Sequence, residues 1–145
     1  MRAEQPCLNE DDSQALLAEA RKARASAYVP YSRFQVGAAL LGRDGTVYHG
    51  CNVENASFGL TNCAERTAFF RAIADGCRPG DFVALAVVGD TVGPISPCGA
   101  CRQVMLELGG PDLRVLLGNL AGDVQPTTVA ALLPGAFDHT GLPRD

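Results

Sequence analysis

Phe82-Val83-Ala84-Leu85-Ala86-Val87-Val88 is an unbroken apolar run. It is far short of the ~20 residues a membrane helix needs. It also lacks the alternation of a strand with one wet face, so it reads as a central strand buried on both sides. A strand covered on both faces needs helices as neighbours, and the flanking segments supply them. Cys63–Asp75 reads as a helix, with Thr61 or Asn62 as candidate cap and Gly76 as its stop. On the other side, Pro97 suits the first turn of a helix over Cys98–Leu108, which Gly109-Gly110-Pro111 closes. The apolar segment Leu113–Leu117 follows as a further strand. Strands separated by helices imply parallel pairing.

Further out, Phe34, Val36, Ala38 and Leu40 alternate with Gln35, Gly37, Ala39 and Leu41. This is a strand whose second face is not polar either, so both faces are covered. Gly42-Arg43-Asp44-Gly45 makes a turn, and Thr46–Cys51 returns as the second arm of an antiparallel hairpin. Asn52–Thr61 is a polar loop. Leu16, Leu17, Ala20, Ala23 and Ala27 fall at helical spacing; Asp11, Asp12 or Ser13 caps this helix and Pro30 stops it. Val124–Thr127 reads as a short edge strand, Thr128–Leu133 as a short helix, and residues 1–10 as a loose tail. The order predicts an α/β fold over residues 1–145 as a single domain: a three-layer α/β/α arrangement around a mixed five-stranded sheet.

The length of 145 residues fits one domain, and 47% hydrophobic residues are enough for a core. With 12 basic against 16 acidic residues and no basic block, the chain is no binder of nucleic-acid backbone. No apolar run spans a bilayer, so no membrane partner is expected. The opening Met1–Gln14 lacks the apolar stretch of a secretory signal, which predicts a cytoplasmic protein with reduced thiols. Six cysteines in that setting point to metal binding or chemistry rather than to disulfides.

Two clusters open helices: Asn62-Cys63-Ala64-Glu65-Arg66 and Pro97-Cys98-Gly99-Ala100-Cys101-Arg102-Gln103. Cys98 and Cys101 are three apart, so their thiols share a helical face and one ion; Cys63 is the third ligand. Helix N-termini stabilise thiolates through free N–H groups and the dipole. Three protein ligands with a fourth place open is the catalytic zinc pattern, and the ion acidifies a water in that place. Glu65 stands two residues beyond Cys63, close enough to take that water's proton and pass it on. Three thiolates and a divalent cation leave one negative charge, which Arg66 is placed to offset by donating to the sulfurs.

Cys-Ala-Glu followed by Pro-Cys-x-x-Cys resembles the signature of the zinc nucleoside and nucleobase deaminases. The likeness is wider. Tyr31-Ser-Arg-Phe-Gln-Val-Gly-Ala-Ala39, Asn52-Val-Glu-Asn-Ala56, Cys63-Ala-Glu-Arg-Thr-Ala68, Ser96-Pro-Cys-Gly-Ala-Cys-Arg-Gln103 and Leu132-Leu-Pro134 all look like homotetrameric cytidine deaminase. It runs from about Leu16 to Phe137.

The resemblance implies hydrolytic deamination of cytidine and 2′-deoxycytidine in pyrimidine salvage, with one Zn2+ per subunit and Glu65 as proton shuttle to N3 and to the leaving amine. It implies that Asn52 and Glu54 grip the ribose 3′-hydroxyl and that Phe34 packs against the nucleoside. Backbone at Ala64 and around Cys98 reads the pyrimidine edge, and Phe137 reaches a neighbouring subunit's site. Where the family often has tyrosine, this chain has Phe58, which keeps the ring and loses a hydroxyl that serves the 5′-hydroxyl contact.

Other readings stand beside these. The same machinery could serve another cytosine nucleoside, such as a blasticidin-like antibiotic. In a non-catalytic zinc-stabilised module, Glu65 would be incidental and a fourth protein ligand would close the site. Phe34 and Phe137 read equally as core residues, and Asn52 and Glu54 as ordinary loop polars. Cys7, Cys51 and Cys77 read as free thiols; His49 and His139 lack a ligand's position.

Overall fold

The computed structural model describes residues 8–143. Its strands are β1 (Val36–Gly42), β2 (Val47–Cys51), β3 (Phe82–Gly89), β4 (Arg114–Asn119) and β5 (Val124–Thr128). Its α-helices are α1 (Glu10–Arg24), α2 (Ala64–Ala74), α3 (Gly99–Gly109) and the short α4 (Val129–Leu132), with 3₁₀ turns at Phe58–Leu60 and His139–Gly141.

The strands form one mixed sheet in the order β2-β1-β3-β4-β5. The apolar run is its centre, and every residue of β3 is buried. Only β3 and β4 pair in parallel, joined by the crossover through α3. Sequence order implied a parallel pair across α2 as well. Instead β1 lies between β2 and β3 and is antiparallel to both. β2 and β3 therefore run the same way without touching. The apolar second face of β1 is the local sign of this interior place.

Two apolar layers flank the sheet. Leu16, Leu17 and Ala20 of α1 pack on Ala39, Ala86, Val88 and Leu116. On the opposite face Phe69 of α2 and Met105 of α3 pack on Leu40, Leu85, Val87 and Val115, with Val129 of α4 in the same cluster. The register between β1 and β3 slips at Leu41/Gly42, leaving Val83 as an extra residue. This bulge turns both Val83 and Ala84 toward the α1 layer. Glycine sets how closely the helices sit. A Cβ on Gly37 would lie 2.0 Å from the Ala20 carbonyl oxygen, and one on Gly50 would lie 2.2 Å from that of Ala64. The first turn of α2 thus rests directly on β2.

Several boundaries differ from those read in the sequence. Asn9, not Asp11, Asp12 or Ser13, caps α1: it accepts from the Asp12 amide at 2.7 Å while Asp12 reaches back in a capping box. Asn9 and Glu10 therefore belong to the helix start rather than to a tail, and residues 1–7 of the predicted tail lie outside the described residues. The helix ends at Arg24, so Ala27 is not part of it. Cys63 and Cys98 are themselves the N-caps of α2 and α3; Thr61, Asn62 and Pro97 precede those helices. Phe34 and Gln35 lie before β1. Among the described residues, no helix is long and apolar enough to cross a membrane.

Candidate active site

A cap position is half in the helix, and its side chain usually accepts from the first free amides. The Cys63 and Cys98 side chains make no such bond. They turn instead toward each other, Sγ to Sγ 3.8 Å, and Cys98 Sγ lies 3.4 Å from Cys101 Sγ in the first turn of α3. The three sulfurs fall within 4.8 Å of one another. No fourth histidine, cysteine, aspartate or glutamate among the described residues joins them. The donor set is therefore sulfur-rich with three protein ligands, the pattern of a catalytic rather than a closed structural zinc site.

The site is already electrostatically prepared for a cation. Cys63 is held down to about 5 by its hydrogen bond with Cys101, with help from Arg66 and Cys98 against the cost of burial. Cys101 is pushed up, first by that same bond to Cys63 and then by burial. The bond between these two sulfurs thus favours the thiolate at Cys63 and the thiol at Cys101, and a bound cation would displace thiol protons. Arg66 Nη2 donates to Cys63 Sγ at 3.3 Å, and its Nε is buried without a partner among the described residues. Glu65, the second residue of α2, is only 4% exposed. Burial raises its proton affinity, the negative Cys63 raises it further, and Arg66 opposes them.

A cavity of about 340 Å³ opens over this group. Phe34, Asn52, Cys63, Ala64, Glu65 and Cys98 line it, so six of the sequence-predicted residues meet there. Cys101 lies fully buried beneath. Asn52 is fixed by both ends of its amide: Oδ1 accepts from the Val36 amide at 2.9 Å and Nδ2 donates to the Phe34 carbonyl at 2.8 Å. Glu54 does not line the cavity. Its carboxylate accepts from the Tyr31 and Ser32 amides, both at 3.0 Å, and from the Ser32 hydroxyl. These bonds hold its proton affinity below the ordinary carboxylate value, the Ser32 hydroxyl foremost. Phe137 lies elsewhere, 64% exposed, its carbonyl accepting from Gln103 Nε2 at 2.8 Å.

Sequence reasoning missed one wall of the cavity, formed by Thr91, Ile95 and Ser96. They sit on the loop that leaves the carboxyl end of β3, where ligands bind in sheets with parallel strands. That general rule was the available signal for Thr91 and Ile95, whereas Ser96 opens the Ser96–Gln103 motif already read in the sequence. Cys51 and Cys77 are free thiols, and Cys7 lies outside the described residues. His49 pairs with Glu19 at 2.7 Å on the far side of β2.

The sequence model of the cytidine and deoxycytidylate deaminase zinc-binding region matches residues 10–117. The chain belongs to the cytidine and deoxycytidylate deaminase family. A cytidine deaminase from Sporosarcina psychrophila is 62% identical over 131 residues, covering 90% of this chain and 95% of that protein. One from Halalkalibacterium halodurans is 65% identical over 126 residues, covering 87% and 94%. The crystal structure of a Burkholderia pseudomallei cytidine deaminase superposes with a TM-score of 0.85 at 64% identity, covering 86% of this chain and 98% of that one. The family's matched region contains all three cluster cysteines and Glu65, and stops short of Phe137. Its zinc-binding character agrees with the donor set found here, which fits one zinc per subunit.

Proposed function

We propose that this protein hydrolyses cytidine and 2′-deoxycytidine at C4 of the base, yielding uridine or 2′-deoxyuridine and ammonia, as a step of pyrimidine salvage in the cytoplasm. One observation carries the reading: a buried carboxyl and two thiols of a three-thiol cluster face a single nucleoside-sized cavity, with the third thiol, Cys101, directly beneath. Cys63, Cys98 and Cys101 hold the zinc. Bound there, zinc supplies the Lewis acidity that makes water a nucleophile near neutral pH.

The remaining work falls to the chain's own groups. Glu65 takes one proton of the attacking water and delivers it to N3. It then takes the remaining proton from the hydroxyl added at C4 and gives it to the departing amine, so that C4=O forms as the C4–N bond breaks. Its raised proton affinity suits a group that must both accept and return a proton. Arg66 offsets the surplus negative charge of three sulfurs through its bond to Cys63. Phe34 packs against the nucleoside, and backbone at Ala64 reads the pyrimidine edge. Asn52 and Glu54 hold the ribose 3′-hydroxyl, Asn52 preoriented by the Val36 amide and the Phe34 carbonyl and Glu54 by the Tyr31 and Ser32 amides and the Ser32 hydroxyl.

The assembly is a homotetramer with shared active sites. Exposed apolar groups support this: Tyr31 and Phe58 meet edge to face with centroids 5.9 Å apart, and Phe58 and Leu60 are 74% and 70% exposed. Such a surface is costly in water unless another subunit covers it. Phe137, on a segment tied to α3, is the residue offered to a neighbouring cavity.

Zinc-loaded protein mixed with cytidine should yield uridine and ammonia in equal amounts, with a sedimentation mass near four subunits. Zinc-loaded protein that makes no uridine would leave the non-catalytic module as the reading, and a single-subunit mass would remove the shared sites.

Arg66→Ala tests the charge offset. The substitution removes one of the bonds that keep Cys63 deprotonated, so protons compete better for that sulfur. Zinc should leave the variant at a pH about one unit higher than it leaves the parent, the scale of one lost charge-assisted hydrogen bond. Metal content measured on stepwise acidification decides it, and superimposable release curves would refute the role.

A further inference from the structure

Asn119, the last residue of β4, is 3% exposed, and a buried amide must find partners to offset its lost hydration. Its Nδ2 donates to Asp123 Oδ2 at 2.8 Å, to the Thr91 carbonyl at 3.0 Å and to the Val92 carbonyl at 3.3 Å. Its Oδ1 accepts from the Asp123 amide at 2.9 Å. The bonds to Asp123 close the turn between β4 and β5, and the backbone bond from Asn119 N to Asp123 O at 3.2 Å already shapes that turn. The reach to Thr91 and Val92 contributes nothing to it. Those two carbonyls open the loop that carries Thr91, Ile95 and Ser96, one wall of the cavity that Phe34 and Asn52 also line.

The loop has little else to fix this end. Val92 is fully exposed and so makes no anchor. The Thr91 hydroxyl is spent within the loop, donating to the Gly93 carbonyl at 2.6 Å. Anchors at the far end are separate: the Ile95 amide donates to the Gly118 carbonyl at 3.3 Å, and Arg102 Nη2 donates to Ser96 Oγ at 2.9 Å. Asn119 is thus the side chain that locks the first half of the wall.

We infer that Asn119 is a positioning residue for nucleoside binding: through the Thr91 and Val92 carbonyls it holds one wall of the cavity in place, touching neither the substrate nor the metal ligands. The inference rests on the proposed deaminase function.

The test separates the clamp from the turn. In the double variant Asn119→Asp/Asp123→Asn, the new amide at position 123 donates to the new carboxylate at position 119, so the turn stays closed. The Thr91 and Val92 carbonyls then face oxygen instead of a donor. The double variant should raise KM for cytidine about tenfold, the effect of one or two net hydrogen bonds on an equilibrium. Its kcat should stay within about threefold and its zinc content should not change. Amide hydrogen exchange over residues 90–96 should quicken about tenfold without substrate or metal. Asp123→Ala, which weakens the turn and spares the clamp, should keep the parental KM and loop protection. Parental KM and exchange in the double variant, or an equal KM rise in Asp123→Ala, would overturn the inference. If the double variant does not fold, Asn119→Ser, whose short side chain reaches Asp123 but not the loop, is read against the same outcomes. Failure of the parent to turn over cytidine would count against the deaminase reading, whereas loop exchange judges Asn119 on its own.

Discussion

Glu65→Gln lowers kcat for cytidine by about 10²- to 10⁴-fold, the range general acid–base groups supply, while bound zinc and the fold persist. Glutamine has the shape of glutamate and keeps a hydrogen-bonding side chain in the same buried place, but it has no site for the proton taken from water. The effect on stability has the opposite sign. Burial raises the proton affinity of Glu65 above its ordinary value, with the charge of Cys63 adding to it. At neutral pH the unfolded chain holds this carboxyl ionised at no cost, whereas the folded chain pays to ionise it, so the group lowers stability as pH rises past its ordinary value. The amide removes that cost, and the variant should melt no lower than the parent at pH 7. The acid limb of the parent's kcat/KM profile should also lie above the range of an exposed carboxylate, because the ionised form is the one that accepts the proton. Metal analysis, thermal melts and steady-state rates read all three. A variant retaining a tenth or more of the parental rate would end the assignment of Glu65 as the proton shuttle.

The features that were legible before the structure are those written in local chemistry. Seven consecutive apolar residues from Phe82 mark a doubly covered strand, because only burial on both faces tolerates them. Cys98 and Cys101 at three-residue spacing mark a shared helical face, and their sulfurs lie 3.4 Å apart. The caps were harder to read. Cap preferences favour oxygen acceptors, so Thr61 and Asn62 attract the assignment, yet Cys63 occupies the position. Its sulfur is released from capping because it belongs to the cluster across the helix tips. Non-local facts left at most a partial trace in any short window, such as the apolar second face of β1. The insertion of β1 between β2 and β3 depends on which strand edges meet, and Ile95 and Ser96 join the cavity because a loop is tied from outside it. Asn119 looks like any polar residue ending a strand until the carbonyls of a segment 28 positions earlier are found within its reach. Phe137 is 64% exposed and outside the cavity, its carbonyl held by Gln103 of α3.

Cys98→Ala and Cys101→Ala should each release zinc and abolish turnover, but they should differ in what else they lose. A trigonal set of sulfurs cannot spare one member, since the remaining pair no longer encloses the ion. Ligand binding is coupled to folding, so loss of the metal lowers stability by the linkage term, about 4 kcal/mol where free zinc exceeds its dissociation constant a thousandfold. For a chain of this length that is roughly a 10 °C fall in melting temperature. Cys98 is exposed at the helix tip, so its loss should cost the linkage term and little more. Cys101 is fully buried in the layer that contains Phe69 and Met105, so alanine there also leaves a small void and should melt lower still. Chelator provides the control: it should bring the parent's melting temperature down to that of Cys98→Ala and leave both variants unmoved. Full zinc content in Cys98→Ala, or a parent indifferent to chelator, would show that these sulfurs do not hold the ion, and the proton chemistry assigned to Glu65 would lose its nucleophile.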